Sequence, residues 1–145
     1  MDSVKILVCE KTGQWATVLR RVLGRWQDCL CETRSLAECW QQLGQHPASA
    51  VVWELTPANA QLLVERLAQL TRQFRRARAL VVAAPELGPY ELVVREAGAM
   101  HVAFSPWQLA AGSRMIERHL RQIPQDPTAV REMIWNRLPW SEPRS

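Results

Sequence analysis

Residues 79–104 read ALVVAAPELGPYELVVREAGAMHVAF, and this stretch decides the fold. It opens with six apolar residues, 79–84, the pattern of a strand buried on both faces. Pro85 cannot donate to a sheet ladder and stops the strand. Residues 89–97 fit a short helix, and Gly98 ends it. A second strand follows at 100–104. A strand, a helix and a strand joined this closely form a crossover unit, in which the helix bridges two parallel strands.

The pattern repeats outward in both directions. Residues 5–9 (KILVC) are a short β-rich run. Trp15, Val18, Leu19, Val22, Leu23 and Trp26 follow at steps of three and four, one face of a helix. Residues 28–34 are a second strand candidate. Ser35 and Glu38 have the spacing of a capping box, opening a helix that carries Leu36, Cys39, Trp40 and Leu43, with Gly44 as its expected stop. Residues 50–55 (AVVWEL) form a third strand, ended by Pro57. Leu63, Leu67, Leu70 and Phe74 restore the helical step. Residues 107–123 make a fifth helix through Met115, Ile116, His119 and Leu120. Strand and helix thus alternate five times. Right-handed crossovers place helices on both faces of one sheet. The expected fold is α/β, a doubly wound five-stranded parallel sheet with its ligand crevice at the carboxyl ends of the strands.

Beyond Ile123 the pattern changes. Residues 124–127 (PQDP) interrupt the helix, Asp126 can cap a new one, and Pro127 suits its first position. Val130, Met133, Ile134 and Leu138 form an apolar stripe with Trp135 beside it. The expected division is a domain at 1–123, then an extra amphipathic helix and loose tail at 124–145.

Composition narrows the function classes. The chain has 145 residues, 48 % hydrophobic and 22 % charged, which excludes global disorder. No apolar run approaches the ~20 residues a membrane span needs. The N-terminus MDSVKILVCE lacks the form of a signal peptide, so a cytoplasmic location is expected. The net charge is +4, with sixteen arginines to two lysines, which permits nucleic-acid binding without demanding it. Arg66, Arg72, Arg75, Arg76 and Arg78 crowd one segment, and a nucleic-acid-binding regulator using them is the alternative of a different class. A solvated helix face is the plainer account, since no nucleic-acid motif accompanies it. Cys29, Cys31, Cys39 and His46 lack the paired spacing of a zinc site, so Cys9, Cys29, Cys31 and Cys39 are read as reduced thiols. No GxGxxG loop follows the first strand. His46, His101 and His119 have no nucleophile or acid nearby in sequence. No cofactor, metal or catalytic residue is assigned.

Residues 98–107, GAMHVAFSPW, and residues 52–57, VWELTP, resemble the response-regulator receiver domain. Gly98 and Ala99 match a Gly-Ala pair before the last strand, Pro106 a proline just after it, and Pro57 the proline after the third strand. The resemblance spans about residues 3–122. It implies the flavodoxin-like strand order 2-1-3-4-5 and a phosphoryl transfer onto aspartate. It also implies where each chemical part should stand. The two magnesium-holding acids fall on Cys9 and Glu10, so one survives. The acceptor carboxylate falls on Trp53, whose indole can neither attack phosphorus nor bind magnesium. The hydroxyl of the fourth strand falls on Ala83, the lysine on Ser105, and the switch aromatic on Val102. The resemblance therefore implies a pseudo-receiver: a non-catalytic signalling module acting through a protein partner, with a phosphorylatable two-component receiver as a third reading that these residues oppose. Glu54, one residue from the acceptor position, could imitate a phosphorylated aspartate. Magnesium is not expected to bind tightly, since Glu10 is the one family acid left.

Seven tryptophans divide by position. Trp15, Trp26 and Trp40 fit core-facing helix surfaces. Trp53, at the mouth of the crevice, either plugs the vacated pocket or anchors a partner. Trp107, Trp135 and Trp140 are surface candidates. Receivers often pair through the fourth helix, fifth strand and fifth helix, which here include Tyr90, Val102 and Trp107. The stripe at Val130, Met133, Ile134, Trp135 and Leu138 is expected to close that face or a homodimer.

Overall fold

The computed structural model describes residues 4–123. The expected helix at 124–145, with Val130, Met133, Ile134, Trp135, Leu138 and Trp140, lies outside the described residues. Five parallel strands form one sheet: β1 (Ile6–Cys9), β2 (Leu30–Thr33), β3 (Ala50–Leu55), β4 (Arg78–Ala83) and β5 (Ala99–Ala103). Their order is β2-β1-β3-β4-β5. The helices are α1 (Gln14–Val22), α2 (Leu36–Gln45), α3 (Ala60–Gln73), α4 (Glu91–Ala97) and α5 (Pro106–Gln122). This is the doubly wound arrangement expected from the sequence.

Strand alternation divides the core in two. Leu7, Val51, Trp53, Leu55, Val81 and Ala83 face α2, α3 and α4, where they meet Cys39, Leu43, Leu63, Leu67 and Val94. Ile6, Val8, Val52, Leu80 and Val82 face α1 and α5, against Trp15, Leu19, Leu109 and Ile116. Apart from Glu54 and Arg78, β3 and β4 are buried on both sides, hence their apolar runs at 50–53 and 79–83.

The sequence reading needs correcting at three places. Gly44 does not stop α2, which continues to Gln45 and ends at His46. Positive φ occurs at Gly13, Gly24 and Gly98; Gly24 follows the last turn of α1 and Gly98 that of α4. Cys29 does not share a strand with Cys31: it ends a 3-10 segment, Gly24–Cys29, that also carries Trp26. The helix expected at 89–97 is split, because residues Pro85–Tyr90 form a 3-10 turn before α4 begins.

Candidate functional site

The crevice lies where the loops after β1, β2 and β3 meet. Cys9 and Trp53 are register partners across β1 and β3, Trp53 pairs with Val81, and Val81 with Val102. Trp53, onto which the resemblance places the acceptor, thus lies in one cross-strand row with Cys9, Val81 and Val102. Its side chain is not presented to solvent. Trp53 is 0 % exposed and is the largest fully buried side chain in the core. Its indole Nε1–H donates to Cys39 Sγ at 3.2 Å, so its one polar atom is satisfied inside the core. Trp53 therefore fills the interior beneath the crevice, and the partner-anchor reading of this residue is corrected.

Glu10 has a structural role. α1 has no acidic residue in its first turn, and Gly13 before it supplies no side-chain cap. Glu10 takes that place from the loop: its carboxylate oxygens accept from Trp15 N–H at 2.9 Å and Ala16 N–H at 2.6 Å. Two of the orphan donors of the helix start are thereby satisfied. Glu54 accepts from the Lys11 backbone N–H at 3.3 Å. Ser105 caps α5, accepting from Gln108 N–H at 3.3 Å, while Gln108 Oε1 accepts from Phe104 N–H at 2.6 Å. Residues 105–108 (SPWQ) form a capping arrangement with Pro106 in the first turn; the spacing was present in the sequence, hidden behind the lysine-position reading.

Thiol chemistry is muted here. Burial pushes the Cys39 thiol up to about 12, with the Trp53 hydrogen bond opposing only in part. Burial raises Cys9 as well, against the Thr33 hydrogen bond. Neither is a thiolate at neutral pH, so neither is a ready nucleophile. Among the described residues no three His, Cys, Asp or Glu side chains converge as a metal site.

The expected interaction residues separate. Trp107 is 87 % exposed and Tyr90 is exposed, joined by Leu92 and Val93 on α4. Val102 is buried in the core and offers no contact area of its own, a correction. Ala83 is also fully buried. Of the crowded arginines, Arg66 lies over the Trp40 ring at 5.2 Å, and Arg78 donates to the carbonyls of Arg75 and Ala77.

The crevice joins Cys9, Glu10, Glu54 and Arg66, named from the sequence, to Lys11, Arg34, Thr56, Asn59 and Leu62, to which the sequence reading gave no role. A cleft of about 340 Å³ is bounded by Cys9, Glu10 and Lys11 after β1, Arg34 to Ala37 after β2, Glu54, Thr56 and Asn59 after β3, and Leu62 and Arg66 on α3. Lys11, Arg34 and Arg66 are 23 and 32 residues apart, so no motif scan unites them.

No protein-family model matches the chain, and no curated protein matches it. Solved structures do. An orphan response regulator of H. pylori superposes with a TM-score of 0.64 at 18 % identity, covering 83 % of this chain and 98 % of that one. A CheY-like protein, TadZ, from Pseudomonas aeruginosa gives 0.60 at 15 % identity, over 86 % and 100 %. A response regulator from Thermotoga maritima gives 0.61 at 10 % identity, over 83 % and 100 %. The chain has the fold of CheY-like receivers.

Proposed function

We propose that this chain is a receiver-like signalling module that works without phosphorylation, by contact with a protein partner, and performs no catalysis of its own. The observation that carries the reading is Trp53: the acceptor position holds a fully buried indole bonded to Cys39. Two further losses agree with it. Ser105 is committed to capping α5, and Glu10 is committed to α1. The partner surface is the exposed apolar group Tyr90, Leu92, Val93 and Trp107, since exposed aromatics commonly anchor interfaces. The expected setting is cytoplasmic; among the described residues no helix is long and apolar enough to cross a membrane. The test is intact-mass measurement after treatment with acetyl phosphate and Mg²⁺. No mass gain is expected. A base-labile gain of one phosphate mapped to Glu10 or Glu54 would overturn the reading.

A further inference from the structure

In the crevice after β1, β2 and β3, most polar groups are already paired with one another. The Asn59 side chain accepts from Thr56 N–H at 2.8 Å and donates to the Glu54 carbonyl at 2.8 Å. Thr56 Oγ1 accepts from Asn59 N–H, and Ser35 Oγ accepts from Glu38 N–H. Both Glu10 oxygens are used by the start of α1, and Glu54 Oε1 takes the Lys11 N–H. The cations are different. Among the described residues the ion pairs are Arg20 with Glu32 and Arg95 with Glu91. Lys11, Arg34 and Arg66 thus have no described carboxylate within salt-bridge distance. Arg66 is nonetheless held in place, over the Trp40 ring and bonded to Gln69 Oε1 at 3.0 Å. Leu36, Ala37 and Leu62 supply an apolar wall beside these cations.

From this juxtaposition we infer that the crevice binds a small phosphate-bearing ligand with an apolar or planar body, a mononucleotide in chemical class. Guanidinium groups match phosphate oxygens through paired N–H donors, and an ammonium adds a point charge. The volume, about 340 Å³, is within the range of small-ligand clefts. The position, between the loops after β1 and β3, is the switch point at which open α/β sheets bind ligands. The ligand would bridge the Arg34 loop and α3, and so report a metabolite without any covalent step. This inference does not depend on the absence of phosphorylation.

The test uses the intact chain, isotope-labelled, with EDTA present. AMP, adenosine and inorganic phosphate are titrated separately to millimolar concentration and followed by amide chemical shifts. AMP is expected to give saturable shifts at Lys11, residues 34–37, Asn59 and Leu62, with adenosine silent and phosphate weaker. The double variant Arg34→Gln with Arg66→Gln is expected to weaken AMP by about tenfold or more while keeping the wild-type far-UV spectrum. No saturable shift with AMP overturns the inference, as does unchanged affinity in the double variant. Shifts spread over Arg72, Arg75 and Arg76 and abolished by moderate salt also overturn it, because they would mark diffuse charge attraction.

Discussion

One residue settles how the crevice must be understood. Trp53 stands where the resemblance to receivers would place an acceptor, and its ring lies wholly inside the core with its N–H on Cys39. Removing it leaves a large void: Trp53→Ala is expected to cost about 3–5 kcal/mol of stability by urea unfolding. Trp53→Asp should fare no better, since it would bury a carboxylate with neither lysine nor magnesium to pair it. Measured stability within about 1 kcal/mol of wild type in either variant would show that the ring is not a core element. The companion thiol gives an independent check. With its thiol pushed up to about 12 by burial, Cys39 is expected to resist iodoacetamide at pH 8 in the folded chain and to label fully in urea. Peptide mapping reads both states. The sequence placed a tryptophan here but left its direction open. β3 is apolar on both faces, so alternation alone could not tell interior from crevice.

At the scale of elements, the strands were the most legible part. The run at 50–55 maps onto β3 (Ala50–Leu55) without a shift, because its apolar residues are buried on both faces and Pro57 closes it. Helix ends were less legible. Gly44 looked like a stop, but Gly98 is the glycine with φ of +129° that closes an α-helix. A side chain at 98 would also press on Thr71 Oγ1 at 2.6 Å. Gly98→Ala is expected to lower stability by about 1–3 kcal/mol. A melting temperature equal to wild type would contradict it. The grouping of the crevice cations was not legible, since Lys11 and Arg34 come from two loops and Arg66 from α3, and their meeting depends on the strand order. Glu10 was legible only as a lone family acid, whereas the structure gives it the start of α1. Glu10→Ala is therefore expected to destabilise the chain by about 1–2 kcal/mol with or without magnesium. A loss seen only when magnesium is present would instead make Glu10 a metal ligand.

Across the whole molecule the crevice draws on the ends of β1, β2 and β3, and the exposed apolar group on α4, the turn before it and the start of α5. The far end of α5 is held by the buried Ile116 and Leu120 and by one long-range hydrogen bond. His119 Nε2–H donates to the carbonyl of Ala48 at 2.9 Å, linking α5 to the loop before β3 across 71 residues of sequence. Burial lowers the His119 pKa from 6.5, and Arg78 lowers it further, while the Ala48 hydrogen bond opposes both. Between the folded value and 6.5, the unfolded chain binds more protons than the folded one, so stability rises with pH in that window. The contribution is fully present above about pH 6.5 and is lost as pH falls through the folded value. Melting temperature is therefore expected to drop from about pH 7 to pH 5, before most carboxylates titrate. His119→Gln keeps a donor for the Ala48 carbonyl but removes the proton equilibrium, so its melting temperature should vary less over the same window. If the variant loses stability as steeply as wild type between those pH values, another group governs the acid side of the profile and the His119 tie is not pH-sensitive.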